Sequence, residues 1–176
     1  MKNIVLLILV TFFFLPVISN GEEIKDQVLE NKLKAVFVYN FTKYIEWPAN
    51  DSSGTFLIGV LGDSGIITPL REIQKEKVIK GRSIDIVTYR SPDDIMRCNV
   101  LFISSSEEPK LKEIQEKIGK KPVLTIGDTP GFAGKGIAIN LVMVGGKMRF
   151  EINSRSLKAA RLKVSSQLLK LAILVK

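Results

Sequence analysis

Thr55-Phe56-Leu57-Ile58-Gly59-Val60-Leu61-Gly62-Asp63-Ser64 is the stretch that decides the architecture. A short, nearly continuous apolar run stops abruptly at a Gly-Asp-Ser turn. Such a run suits a strand buried on both faces, which is the environment of a parallel sheet covered by helices. The same pattern returns twice: Asn99–Ser104 is apolar at its centre and leads into Ser105-Ser106, and Pro122–Ile126 leads into Gly127-Asp128-Thr129. A further strand, Arg82–Tyr89, follows Gly81. Helical segments lie between these runs. Thr68 and Pro69 read as an N-cap and first helical position, with the helix reaching about Glu76. Ser91-Pro92-Asp93-Asp94 starts a short helical turn. Ser106 is expected to cap a helix through Ile118, with Glu107 and Glu108 favourably placed in its first turn, and Gly119 ends it.

Working outward, Val28–Ile45 reads as a helix, with Leu29, Leu33, Val36, Phe37, Asn40, Phe41 and Tyr44 at helical spacing, ended by Trp47-Pro48. Toward the C-terminus, Gly136–Val144 and Lys147–Asn153 flank Gly145-Gly146, a two-residue hairpin signal. Ser154 is expected to cap the next helix, and a last helix is expected from Ser165-Ser166 to Val175. Strands alternating with helices and followed by a hairpin predict an α/β fold. The expected form is a single three-layer domain, a mostly parallel sheet flanked by helices, with a C-terminal antiparallel hairpin.

Composition narrows the chemistry. The chain of 176 residues has no histidine and one cysteine, Cys98. A Ser-His-Asp triad, a Cys-His dyad and a His-ligated metal are excluded, and one cysteine cannot close an intrachain disulfide. No second carboxylate is placed by sequence as a partner for Glu151 in acid–base work, so the reading is of a protein that is not an enzyme and carries no metal or other cofactor. The net charge of +8 suits an acidic partner surface or plain solubility. No aromatic-basic stripe points to nucleic acid.

Residues 1–21 have the form of a secretory signal peptide. Lys2 precedes an apolar run, Ile4–Ile18, and Ser19-Asn20-Gly21 offers small residues for cleavage. The run falls short of the ~20 residues a membrane span needs, and Pro16 interrupts it. Cleavage would release one exported domain, residues 22–176, into an oxidising compartment in which Cys98 has no intrachain partner.

The loops after the apolar strands hold the candidate ligand residues, Asp63, Ser64, Ser104, Ser105, Asp128 and Thr129. Ligands of open α/β sheets bind beyond the carboxyl ends of the strands, where backbone N–H groups at helix starts can hold an anion. The same residue types also serve simply as helix caps and turn formers. Candidate partner-binding residues are Phe132, Glu151, Arg155 and Trp47. Phe132, in the Gly- and Pro-rich loop Gly127–Gly134, is either a core plug or an exposed anchor. Trp47 is core or interface, and Glu151 is exposed or paired with a base such as Arg149 or Arg155. Asn40, inside the apolar stripe, must be hydrogen-bonded if buried.

Several segments taken together resemble the YfiR family of exported proteins. They are Lys34-Ala35-x-Phe37-x-Tyr39-Asn40-Phe41-x-Lys43 with Trp47-Pro48, Gly59-Val60-Leu61-Gly62-Asp63, and Gly81-Arg82 followed by Cys98-x-Val100-Leu101-Phe102-Ile103-Ser104. Leu124-Thr125-x-x-Asp128-x-x-Gly131-Phe132-Ala133, Arg149-Phe150-Glu151-Ile152-Asn153 and Leu162-Lys163-Val164-Ser165-Ser166 with Leu168-Leu169 complete the series in order. The resemblance implies a periplasmic α/β protein without enzymatic activity. It implies restraint of a membrane-bound diguanylate cyclase through its periplasmic portion, with an outer-membrane lipoprotein as a second partner, and so lower cyclic-di-GMP and less biofilm. Two features depart from the family pattern: relatives carry more cysteines, and Arg161 stands where they often have glycine.

The competing reading is a small-ligand sensor or carrier using the strand-end crevice. On either reading the exported protein is a monomer or dimer without essential disulfides. A reductant is expected to leave its melting temperature unchanged in a thermal denaturation scan, and a large drop would reveal an intermolecular bridge through Cys98.

Overall fold

The computed structural model describes residues 20–49 and 54–175. The proposed leader lies outside them, except for Asn20 and Gly21, which open the first helix. That helix, α1 (Asn20–Tyr44), leads into β1 (Ile45–Glu46). There follow β2 (Phe56–Leu61), α2 (Ile67–Glu76), β3 (Val78–Ile79) and β4 (Arg82–Tyr89). After a 3-10 turn at Pro92–Asp94 come β5 (Val100–Ile103), a second 3-10 turn at Ser105–Lys110, α3 (Leu111–Ile118) and β6 (Leu124–Gly127). The chain ends with β7 (Ile139–Val144), β8 (Lys147–Asn153), α4 (Ser154–Ala159), β9 (Lys163–Val164), α5 (Ser166–Leu171) and β10 (Ile173–Val175).

The main sheet has the order β10-β8-β7-β6-β5-β2-β4-β3. From β7 to β4 all neighbours are parallel. β8 returns antiparallel to β7 through Gly145-Gly146, whose φ angles of 57° and 72° lie in the left-handed region that favours glycine. This is the expected fold class: a mostly parallel sheet between helical layers, with a C-terminal antiparallel hairpin. β1 and β9 form a small separate ladder, Ile45 opposite Val164.

Alternation along the strands builds two cores. Val100 and Phe102 of β5, with Leu124 and Ile126 of β6, pack toward α1 and α2. Leu101 and Ile103 face the other way, against α3 residues Leu111, Ile114 and Ile118, and against Phe132. Phe132 is fully buried. Its ring covers Gly127: a Cβ there would lie 2.5 Å from the ring's Cδ2. Of the two readings of Phe132, the side chain is therefore the core plug and not an exposed anchor, because the glycine leaves a ring-sized recess on the sheet.

Other local expectations shift for identifiable reasons. α1 is apolar around much of its circumference, and it seats Ala35, Val38 and Phe41 on the sheet. The small Ala35 allows close approach, so Leu29, Leu33, Val36 and Tyr44 lie on the exposed side instead of the core side. Helix α2 starts at Ile67, so Thr68 is not its cap; Ile66 precedes it without a side-chain cap bond. Ser106 does not cap α3 either, because Pro109 interposes a 3-10 turn and delays the α-helix to Leu111. Asn153, and not Ser154, caps α4, its Oδ1 accepting from the Ser156 N–H at 3.1 Å. The last helix stops at Leu171, and Ile173–Val175 pairs parallel to β8, using β-branched residues to cover an open sheet edge.

Removing the Phe132 ring would leave a cavity over Gly127. Phe132→Ala is expected to lower unfolding free energy by about 3–5 kcal/mol, as for other buried aromatics, measured by urea denaturation.

Candidate functional site

The chain visits β4 on one side of β2 and then β5 on the other. Such a reversal of strand order opens a crevice at the carboxyl ends of the strands. The loops after β2, β5 and β6 meet there. Asp63, Ser64, Ser104, Ser105 and Asp128 line one cavity of about 410 Å³, together with Gln27, Asn31 and Lys34 from α1. Five of the six crevice residues expected from sequence are thus brought together. Thr129 is the exception. It is buried, with its carbonyl accepting from Asn140, and is absent from that lining.

The cap-and-turn roles are filled by the same residues. Ser104 Oγ donates to the Asp63 carbonyl at 2.5 Å, tying the β2 and β5 loops together. Ser64 Oγ accepts from the Ile66 N–H at 3.4 Å, ahead of α2. What the sequence did not reveal was the roof. Helix α1 begins well before Val28, and its N-terminal half passes over the strand ends. Lys34 Nζ reaches Asp128 Oδ2 at 2.7 Å and Glu30 Oε1 at 2.7 Å. Glu30 and Lys34 stand one helical turn apart, which is legible as a local pair. The bond to Asp128 crosses 94 positions and left no local signal.

Burial alone would lower the Lys34 pKa. Its hydrogen bonds and charge interactions with Asp128 and Glu30 outweigh this and hold the ammonium above the ordinary lysine value.

Lys34 and Asp128 also border a second cavity, of about 390 Å³. Ile126 pairs with Ile139 and Gly127 with Asn140, so β7 runs on past the end of β6 and the hairpin overhangs the loop at Asp128–Gly131. Glu151 lines this second space, with Leu141, Met143 and Met148. Its Oε2 accepts from Asn140 Nδ2 at 3.0 Å, and the same amide donates to the Thr129 carbonyl at 2.9 Å.

The other partner-binding candidates are not gathered with Glu151. Trp47 is half-buried, its Nε1 donating to the Asn99 carbonyl at 3.2 Å and its ring standing edge-on to Phe56 at 5.2 Å. Asn99 precedes β5, so Trp47 lies at the opposite end of the sheet from the crevice. Arg155 is exposed at the start of α4. Asn40 is half-buried, with Oδ1 accepting from Lys43 Nζ at 2.9 Å. Among the described residues no group of three or more His, Cys, Asp or Glu is placed to hold a metal ion, and no helix is long and apolar enough to cross a membrane.

Residues 31–173 match the family model DUF4154, described as YfiR/HmsC-like. The chain belongs to the YfiR/HmsC-like family. That match takes in α1 from Asn31, both cavities and the hairpin. The YfiR-like family is periplasmic and regulatory rather than catalytic, its members acting on a partner protein. No curated protein matches the chain. Among solved structures, a conserved domain protein from Vibrio cholerae O1 biovar eltor is similar, with a TM-score of 0.55 at 11% identity. The alignment covers 83% of this YfiR-like chain and 60% of that one, and at this identity it speaks for the fold alone.

The raised Lys34 pKa gives a pH dependence of defined sign. Its stabilising contribution is whole below the ordinary value of 10.5 and is lost as pH rises through the higher folded-state value. The difference in unfolding free energy between the wild type and Lys34→Met is expected to stay level through neutral pH and to narrow only above pH 10.5. Urea titrations at a series of pH values measure this.

Proposed function

We propose that the protein is exported by a cleaved leader and restrains a membrane-bound diguanylate cyclase, or a related sensor, by stoichiometric contact with its periplasmic part. The observation that carries this reading is the family match across nearly all of the described domain. An outer-membrane lipoprotein that sequesters the regulator fits the same scheme.

The surface of α1 supports a protein partner. Leu29, Leu33 and Val36 fall on one exposed face of the helix, with Leu29 66% accessible. Met143 and Val144 add an exposed apolar tip to the β7–β8 hairpin. Contiguous apolar groups on a small soluble domain mark contact surfaces. The positive charge of the chain suits an acidic partner and acts mainly on the rate of encounter.

A second reading, a small-ligand sensor, is favoured by one specific observation: the crevice residues converge beneath α1 around a cavity within the size range of small-molecule sites.

Purified protein mixed with candidate periplasmic domains is expected to bind without turnover, with added salt slowing association more than it changes dissociation. Leu33→Glu and Val36→Glu should weaken that binding tenfold or more while leaving the melting temperature in place, since both side chains are exposed. Failure of every cyclase and sensor-kinase domain to bind, alongside saturable uptake of a metabolite, would overturn the regulatory reading in favour of the sensor.

A further inference from the structure

We infer that the cavity under the β7–β8 hairpin binds an organic cation on an apolar stem, a guanidinium or ammonium group carried by an aliphatic chain. The inference stands on the cavity itself and is independent of the regulatory reading.

The lining carries three carboxylates, Glu30, Asp128 and Glu151, against one cation, Lys34, in a chain whose net charge is +8. Lys34 is held by Glu30 and Asp128 at 2.7 Å each. Glu151 is left over: among the described residues no lysine or arginine pairs with it, and its hydrogen bond comes from the neutral amide of Asn140 at 3.0 Å.

Asn140 makes Glu151 more than a surface carboxylate. It is fully buried, yet its Oδ1 has no hydrogen-bond partner, and neither has the buried Thr129 Oγ1 nearby in the same network. Burying unmatched polar atoms is costly, and an apolar side chain at position 140 would avoid that cost. What the amide achieves is to fix the Glu151 carboxylate against the Thr129 loop, beside the cavity. A half-buried, oriented and uncompensated carboxylate attracts a cation more strongly than one free in water.

The walls define the kind of cation. Leu141, Met143 and Met148 are apolar, and thioether side chains adapt to the shape of an occupant. A hard metal ion needs a shell of oxygen ligands, which this wall does not supply. An anion would meet an excess of negative charge. In the β7–β8 register Glu151 shares its face with Val142, while Leu141, Met143 and Met148 lie on the opposite face, so a guanidinium or ammonium at Glu151 with its stem passing Val142 at the β7 edge toward the methionines meets both halves of the lining.

The test uses the whole domain with methyl-labelled methionines. Butylguanidinium is titrated in, with butylurea as the uncharged isostere. Butylguanidinium should shift the Met143 and Met148 methyl signals and leave Met96, which lies outside the cavity, in place. Butylurea should bind roughly tenfold more weakly or worse, and Glu151→Gln should weaken butylguanidinium by a similar factor, as expected for a charge-assisted hydrogen bond. Thermal melts establish that the variant is folded. Equal affinity for the two probes, unmoved methyl signals, or an affinity indifferent to Glu151→Gln would overturn the assignment. N-acetyl-arginine methylamide separates the two sources of such a cation: binding comparable to butylguanidinium points to a protein side chain, and its exclusion points to a free small molecule. Since no cyclase domain enters the experiment, its outcome is separate from that of the regulatory proposal.

Discussion

β5 and β6 bury every residue they contain, on both faces, and this constraint organises the molecule. A strand in that position cannot be served by one layer of helices, so α1 and α2 close one side while α3 and the Phe132 loop close the other. With both faces covered, polar groups are forced to the strand ends. The crevice residues are there because the central strands leave them nowhere else to be. The match between Gly127 and Phe132 belongs to the same constraint, since the second layer is completed at β6 by one ring lying on a residue without a side chain.

The central architecture was legible because burial on both faces writes itself into sequence as a short continuous apolar run. Phe56–Leu61, Val100–Ile103 and Leu124–Gly127 all lie where such runs end in Gly, Ser or Asp. The hairpin was legible because Gly145-Gly146 has a single strong reading. Less legible was any choice between equivalent local solutions. α1 carries two apolar rows, and helical spacing cannot say which one faces the sheet; Ala35 decides it only once a sheet is present to be approached. Ile173–Val175 continues an apolar helix in sequence, but the open edge of β8 offers a partner that periodicity does not encode. At the site, the converging loops followed from strand order, whereas Lys34, Asn31 and the role of Asn140 depend on contacts between distant segments.

The two cavities share a partition. Lys34 and Asp128 border both, so the ion pair that fastens α1 to the β6 loop also separates a mainly polar crevice from a partly apolar, acidic recess. α1 is therefore the element through which the strand-end crevice, the recess and the exposed Leu29–Val36 surface touch one another. An occupant of either cavity meets the helix whose outer face is available to a partner.

The pairing of Ile45 with Val164, reinforced by the Ser165 N–H donating to the Tyr44 carbonyl at 2.9 Å, has a consequence for the order of folding. The first helix is fastened by the last tenth of the chain. A segment that leaves the ribosome or a translocation channel early must wait for Phe150, and then Leu168, to complete the layer around Phe37 and Phe41. Closing so long a loop is entropically unfavourable until many contacts form together. The parallel centre can assemble from neighbouring segments, but the roof over the crevice is among the last parts to be set in place.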